Sequence, residues 1–311
     1  MIKPINITST TFSADINTRN PETGEYKDPL MRWPLRGAAF TNEVGEALRP
    51  IIGNYATLSW IPALLYIGAD IYDKYKNDST EYSPNSRRCL KQAIFQGMAS
   101  ICLPLVAVKT GQNILSFAGI STKDKITINS KEHINKIAET FVANGKMHAY
   151  RNKDKECISD FLDIVNNNMD YKKQSESVSN PLKKAYIRLE ESLTRKCNVN
   201  HKYNIENYAK TTISDLIQLR KDLLNPTDEF KQTRWYTSYN SALEKGQTKN
   251  VAVKSVLNKY IQNKGQKGRF IKTAGGFIAL GLAIKPIDHF VEHVLIGKIV
   301  GPGIDKTKKT P

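Results

Sequence analysis

Residues 40–76 have the sequence FTNEVGEALRPIIGNYATLSWIPALLYIGADIYDKYK. It begins with a charged helical turn and continues from Pro50 to Ala69 with twenty uncharged, mostly apolar residues. It then ends in acids and lysines. At 1.5 Å per residue such a helix measures roughly 30 Å, the thickness of the hydrocarbon core of a bilayer. Residues 50–69 therefore predict a helix that crosses a membrane.

A second uncharged run extends from Gln92 to Val108, seventeen residues with Pro104 near its end. Basic residues stand on both sides of it, where their long side chains can reach the membrane surfaces. The polar sequence DKYKNDSTEYSPNSRR, residues 73–88, separates the two runs and predicts a turn because it is rich in Asn, Ser and Pro. The two runs together predict a membrane hairpin; the alternative is a pair of buried helices in a large soluble protein.

A third apolar region has an uncharged core from Thr273 to Ile284, only twelve residues and too short to span a bilayer on its own. It spans if Lys285 extends to the interface; otherwise it is a re-entrant or interfacial helix, or a flexible apolar hinge. Pro286 is expected to break or kink it. Small residues in this region predict close helix packing: Gly275, Gly276 and Gly281.

Residues 122–270 have a different character, with apolar residues at helical spacing and no alternating strand pattern. Asn129 and Glu132 resemble a capping box, and Asn180-Pro181 is typical of a helix start. This part of the chain predicts a soluble helical domain of about 150 residues. The predicted fold is therefore all-α, with an integral membrane hairpin, a third membrane-associated helix and an inserted soluble helical domain.

The formal net charge is +16, and residues 110–272 hold most of the excess, with 29 Lys and Arg against 17 Asp and Glu. Such an excess favours anionic partners. Besides the lipid bilayer itself, we expect anionic lipid head groups or acidic proteins to bind through residues 122–270. Nucleic acid is a possible but less favoured partner, and the composition does not indicate an oligomeric state.

The sequence predicts no enzyme, no cofactor, and no catalytic or metal site. The four cysteines have no CxxC spacing, which indicates neither a zinc site nor a disulfide framework. The sequence HFVEH, from His289 to His293, formally matches an inverted zinc-protease motif. A zinc site needs a third ligand, however, and only Asp305 and polar residues follow. The first thirty residues lack an apolar signal-peptide core, so we expect membrane insertion to use internal segments.

Motifs in three separate regions of the chain resemble the mitochondrial fission process protein family, a group of inner-membrane proteins. The resemblance covers roughly residues 32–112 and 273–300. The family pattern has an Asn-Glu-Val-Gly-Glu-Ala helix before the first span, Ala-Asp-x-x-Asp-Lys at its end, aromatic-Gln-x-x-Ala-Ser-x-x-x-Pro in the second span, and Pro-Ile-Asp-x-x-Val in the third region. The matching residues include Asn42, Glu43, Gly45, Glu46, Arg49, Asp70, Asp73, Lys74, Gln96, Ser100, Pro104, Pro286 and Asp288.

The resemblance implies a non-enzymatic role in membrane organisation or in fission and division. It also implies the mitochondrial inner membrane if the chain is eukaryotic, and the cytoplasmic membrane if it is bacterial. The chain departs from the family in two ways: the basic domain separates the second and third regions, and Lys285 stands where the family usually has His. The predicted division is a polar tail (1–31), the membrane hairpin region (32–121), the basic helical domain (122–270), the third membrane-associated segment (271–304) and a basic tail (305–311).

Several charged motif residues need partners. Glu46 and Arg49 are i,i+3 neighbours and either make an interfacial contact or belong to a solvated amphipathic turn. Gly45 lowers helix stability and so indicates close packing at its position. Asp70 and Asp73 oppose the helix dipole unless they pair with Lys74, Lys76 or a cation.

Asp288 stands beside the apolar core of the third region, where an ionised acid requires a cationic partner, a polar helix terminus or water. The candidate cations are Lys285, Arg269, Lys109 and Arg49.

Overall fold

The computed structural model describes residues 30, 34–76, 86–150, 153–169, 179–196 and 201–306. Every secondary-structure element in these ranges is helical, and no strand occurs among them. The predicted all-α class is confirmed. Of the predicted turn at residues 73–88, residues 73–76 and 86–88 are helical and the rest lie outside the described residues. Both predicted tails also lie outside them, apart from Leu30, Asp305 and Lys306.

The α-helices differ widely in length, from single turns to 24 residues. They are α1 (Leu35–Ala38), α2 (Thr41–Ile52), α3 (Trp60–Lys76), α4 (Ser86–Phe95), α5 (Leu103–Ser116), α6 (Ile128–Ala143), α7 (Lys146–Ala149), α8 (Asp154–Asn168), α9 (Pro181–Lys196), α10 (His201–Leu224), α11 (Asp228–Lys231), α12 (Arg234–Glu244), α13 (Lys249–Lys264), α14 (Gln266–His289) and α15 (Gly301–Lys306). Two 3₁₀ segments (Gly53–Ser59 and Phe117–Ser121) and two π-helical segments (Gln96–Cys102 and Phe290–Val300) connect some of them.

The chain divides into two compact units. Unit 1 consists of residues 1–109 and 276–311, and unit 2 of residues 110–275. These boundaries lie near the predicted limits of the inserted domain, residues 122 and 270. The boundary after Lys109 falls within α5, and the boundary after Gly275 falls within α14.

In unit 1 the chain reverses direction at Gly53. This residue has φ 59° and ψ −129°, a conformation that glycine adopts without a Cβ clash, and it ends α2. Helix α2 then packs against the 3₁₀ segment and α3. The prediction of one helix over residues 50–69 is therefore wrong, because the turn at Gly53 divides the apolar run.

Helix α3 packs against α4, as the hairpin prediction requires. Three helical segments among the described residues are long and apolar enough to cross a membrane: Thr41–Lys76, Ser86–Ser121 and Gln266–Ile304. In the first of these, the helical residues after the turn at Gly53 still extend over about 40 Å. The membrane and transmembrane-helix predictions thus agree with the lengths and composition of the helices.

Burial in unit 1 is the reverse of that in a soluble protein. On α3, Leu64 and Leu65 are 51% and 69% exposed, whereas Asp70 and Asp73 are only 4% and 7% exposed. The apolar core of the unit is small and consists of Ala47, Val108 and Leu280, with Ile284 packed against it. Large exposed apolar surfaces with polar groups inside are suited to contact with lipid.

The third apolar region belongs to a longer helix than the sequence predicted. Helix α14 continues through Pro286 to His289, and the π-helical segment Phe290–Val300 follows directly. The expectation of a helix break at Pro286 is wrong. The uncharged core is only twelve residues, but flanking polar residues and Lys285 remain helical, so the helix length agrees with the alternative in which the region spans with Lys285 extended to the interface.

Unit 2 has a conventional apolar core. Its largest fully buried side chains include Phe161, Ile213 and Leu257, which come from α8, α10 and α13. Helix α6 begins with Thr127 as its N-cap, whose hydroxyl accepts from the backbone N–H of Ser130. The predicted capping box at Asn129 is thus displaced by two residues.

The predicted close packing of glycines is confirmed at Gly275 and wrong at Gly281. A Cβ on Gly275 would lie 2.5 Å from the carbonyl oxygen of Gly111, so α14 and α5 approach closely in unit 2. A Cβ on Gly281 would meet no atom within 4 Å.

Candidate functional site

A chain of hydrogen bonds crosses the interior of unit 1 and connects residues from three predicted motifs. Asn42 Nδ2 donates to the backbone oxygen of Ser100 at 2.7 Å. Ser100 Oγ donates to Gln96 Oε1 at 2.6 Å, and Gln96 Nε2 donates to Asp70 Oδ2. We call these four residues, with Lys74, the polar chain. It connects α2, the π-helical segment and α3.

The first bond of the polar chain follows from a proline. Ser100 lies in the π-helical segment Gln96–Cys102, and an α-helical bond to its carbonyl is impossible because the residue four positions later is Pro104, which has no N–H. Asn42 supplies a donor to this carbonyl, and Asn42 is only 2% exposed. The motif residues Asn42, Ser100 and Pro104 are therefore parts of one arrangement.

Asp70 is the acidic end of the polar chain and is surrounded by donors. It accepts from both Gln92 and Gln96, and Lys74 Nζ lies 3.5 Å from its Oδ1. The same ammonium lies 3.1 Å from Asp73 Oδ2. The expected pairing of both acids with Lys74 is confirmed. Because both carboxylates are buried, this pairing compensates charges that bulk water does not solvate.

A second cluster forms around Glu46, which is 5% exposed. Its carboxylate accepts from Arg49 Nε at 2.8 Å and from Trp60 Nε1 at 3.0 Å, and Lys109 Nζ lies 3.4 Å away. The predicted pairing with Arg49 is confirmed. Of the two interpretations left open, the solvated turn is wrong, since this carboxylate is buried between α2, α3 and α5.

Gly45 permits the close approach of α2 to the chain that follows it. A Cβ at this position would lie 1.7 Å from Ser59 Oγ, 2.6 Å from Ser59 Cβ and 3.0 Å from the carbonyl oxygen of Ala56. The prediction of close packing at Gly45 is confirmed. The glycine thereby brings Glu46 within reach of Trp60.

Asp288 does not pair with the cations that the sequence suggested within unit 1. Lys109 and Arg49 both contact Glu46 instead. Asp288 is exposed, and the charges with which it interacts are those of Arg36, Glu43 and Glu292. The expectation of a lysine or arginine from α5 or α2 is therefore wrong, because Glu46 occupies those cations.

The histidines of HFVEH share a helical face, and the rings of His289 and His293 stack with centroids 4.4 Å apart. In the part of the chain that the structure describes, no group of three or more His, Cys, Asp or Glu side chains is placed to hold a metal ion. Asp305, considered above as a third ligand, has no described side chain.

Unit 2 contains a buried tyrosine in a polar setting. Tyr208 is 5% exposed, and its hydroxyl donates to Asn135 Oδ1 at 3.3 Å. The ammonium groups of Lys131 and Lys264 lie 5.6 Å and 5.2 Å from the centre of its ring. Burial raises the pKa of Tyr208 to about 12, so its phenol stays protonated over the physiological range.

The structure thus brings most of the predicted motif residues of unit 1 into two polar clusters. Pro286 lies within α14 and, as a proline, has no N–H to donate. Asp288 is exposed two residues later. The sequence prediction did not include Gln92 and Trp60 among the site residues. Gln92 stands four residues before Gln96, a spacing that places both amides on one helix face and was a usable signal.

Comparisons of the chain with models of protein families, with curated proteins and with solved structures found no match.

Proposed function

We propose that this chain is a non-enzymatic membrane protein that organises or divides the membrane in which it resides. The resemblance to the mitochondrial fission process family carries this function. The observation that supports it most is the polar chain, since it joins motif residues that are distant in sequence: Asn42 bonds to Ser100, and Gln96 bonds to Asp70.

The arrangement favours a scaffold over a catalyst. The carboxylates of Asp70 and Glu46 are both occupied by donors and cations from neighbouring helices. Groups bonded in this way fix the positions of helices relative to one another within the unit. A protein of this kind acts through its shape and its contacts with lipid or partner proteins.

The first experiment is fractionation. We expect the tagged chain to remain in membranes after an alkaline carbonate wash, in the mitochondrial inner membrane of a eukaryotic host or the cytoplasmic membrane of a bacterial one. Recovery of most of the protein in the soluble fraction would refute the membrane proposal.

The second experiment tests the role in division. Depletion of the protein is expected to change the length or number of the organelles or cells, and re-expression should restore them. Asn42→Leu should fail to restore them, because it leaves the Ser100 carbonyl without its donor. Asn54→Leu, the same change at an exposed position, should restore them fully. Normal morphology after depletion would contradict the proposed function.

A second function, that of a membrane-anchored basic module, is favoured by one observation. Residues 245–272 contain eight Lys and Arg and no Asp or Glu. In this alternative the hairpin serves only as an anchor, and the basic module binds an anionic partner. Normal division in a host that expresses only the hairpin-disrupted Asn42→Leu protein would favour it.

A further inference from the structure

The basic segment, residues 245–272, covers α13 and the first two turns of α14, and its charge is largely uncompensated. Three of its eight cations interact with acids: Lys264 lies 2.8 Å from Asp215, Lys272 lies 2.5 Å from Glu132, and the charge of Arg269 acts on Glu139. Five others are exposed lysines that form no ion pair with an acid among the residues that the structure describes. These are Lys245, Lys249, Lys254, Lys259 and Lys267.

Two of these lysines donate hydrogen bonds to neutral acceptors, which do not compensate their positive charge. Lys254 donates to the backbone oxygen of Ala143, and Lys259 donates to Ser238 Oγ at 3.2 Å. Both acceptors are neutral. Between these lysines, the outward face of α13 carries Val251, Ser255 and Gln262, which are exposed and uncharged. The surface is therefore a neutral strip with positive edges.

Exposed apolar residues follow at the start of α14. Phe270 is 53% exposed and Ile271 is 37% exposed, three and four residues after Lys267. That spacing places the aromatic ring, the aliphatic side chain and the ammonium on one helix face. Immediately afterwards, at Thr273, the uncharged core of the third apolar region begins. An apolar pair beside a cation at the end of a membrane-crossing segment matches the chemistry of a bilayer interface.

We propose that the basic segment lies on the membrane surface and binds anionic phospholipid head groups, with Phe270 and Ile271 inserted at the interface. The inference rests on the membrane insertion proposed above and adds the surface and the lipid class. Polybasic clusters directly adjoining a membrane helix gain affinity from each cation near an anionic leaflet. Nucleic acid fits the charge, and a base can stack on Phe270. It gives no role, however, to the exposed aliphatic side chain of Ile271 or to the apolar core that begins at Thr273.

Lysine acylation of the full-length protein tests this directly. The protein is placed in lipid nanodiscs, which expose both membrane faces, made either of phosphatidylcholine or of phosphatidylcholine with phosphatidylglycerol. In the anionic discs we expect labelling of the five exposed lysines to fall about fivefold, and added salt to restore it. Lys155, Lys183 and Lys210 are exposed lysines elsewhere in unit 2 and serve as internal controls, with unchanged labelling.

Two matched triple variants distinguish the effect of the basic segment from the effect of net charge. In Lys249→Gln/Lys259→Gln/Lys267→Gln, the remaining Lys245 and Lys254 should lose their protection by anionic lipid. In Lys155→Gln/Lys183→Gln/Lys210→Gln, which removes the same charge, they should keep it. Phe270→Ser should also weaken protection, although it removes no charge.

Three results would overturn the inference. Equal labelling in both kinds of disc would refute lipid binding by the segment while leaving membrane insertion intact. Protection by a short RNA in neutral discs, without protection by anionic lipid, would assign the segment to nucleic acid. Failure of the chain to enter discs at all would refute the membrane proposal and this inference with it.

Discussion

At the scale of single residues, the buried polar groups of unit 1 differ in how completely they are bonded. Asp70 accepts from two amides and lies beside a lysine. Asn42 Oδ1 and Glu43 Oε2, by contrast, are buried and have no hydrogen-bond partner in the described part of the protein. An unpaired buried group costs free energy that a bonded one does not. Substitutions should therefore have very different effects at neighbouring positions.

Gly45→Ala is expected to lower the free energy of unfolding by about 1–3 kcal/mol, because the new Cβ would overlap Ser59 and force α2 away from it. Thermal denaturation in detergent measures the change. Gly68→Ala is the matched control, since a Cβ there meets no atom within 4 Å. The double variant Gly45→Ala/Ser59→Gly should recover part of the loss. Equal melting temperatures for the two single variants would contradict the close approach.

Asp288→Ala is expected to change the free energy of unfolding by no more than about 1 kcal/mol, because the carboxylate is exposed and two of the charges near it are also acids. The comparison is Leu280→Ala in the core of unit 1, which should cost about 2–5 kcal/mol. A loss at Asp288 as large as that at Leu280 would show that the acid has a buried partner.

Tyr208 predicts a loss of stability at alkaline pH. Its pKa is raised from 10.0 to about 12 by burial, so the folded state favours the protonated phenol. This contribution to the free energy of unfolding, about 2–3 kcal/mol in all, is fully present below the pKa of the unfolded state. It is lost as the pH rises through the pKa of the folded state. Thermal denaturation followed by circular dichroism, from about pH 9 to about pH 12, measures this loss of stability.

Two phenylalanine variants provide the control for this titration. Tyr208→Phe should reduce the alkaline loss without abolishing it, because burial also raises the pKa of Tyr260 to about 12. Tyr203→Phe, a change at a tyrosine that is 62% exposed, should leave the loss unchanged. An identical alkaline curve for Tyr208→Phe and the parent would exclude the buried phenol as its cause.

At the scale of elements, Pro104 and α2 are connected through a single carbonyl. In the parent protein Asn42→Leu leaves the Ser100 oxygen without its donor, which should cost about 1–3 kcal/mol. In a Pro104→Ala background the residue at 104 carries an N–H that is able to bond this oxygen, so the same substitution should cost less. A double-mutant cycle by thermal denaturation measures the difference. Equal costs in both backgrounds would rule out this connection.

The sequence predicted the elements of this fold better than their ends. Helix spacing and uncharged runs indicated the all-α class and the hairpin, because those signals depend on composition over many residues. The reversal at Gly53 was missed, since one glycine inside an apolar run is equally compatible with a continuous membrane helix. The sequence identified the polar residues of the motifs but not the partners of Asp288. Lys109 and Arg49 contact Glu46 instead, and which acid they contact depends on how the helices pack.

At the scale of the whole molecule, the charge distribution predicts a topology. The positive-inside rule places the basic domain and the N-terminus on the cytoplasmic or matrix side, and the hairpin turn on the other. Cysteines introduced at Ser79 and Ser175, both outside the described residues, should then react with an impermeant reagent from opposite sides. Labelling of both from one side would refute the membrane hairpin.

Unit 1 is discontinuous in the chain, and this has a consequence for its synthesis. Its small core needs Leu280, yet Ala47 and Val108 are translated before the whole of residues 110–275. At about 5–20 residues per second, the ribosome takes roughly 8–30 s to cover that distance. During this delay the first two long apolar helices lack the third, while the inserted domain has time to fold. A nascent chain that ends just after Gly275 would therefore contain all of unit 2 but lack Leu280 of unit 1, and its incomplete unit 1 would be exposed to membrane quality-control proteases.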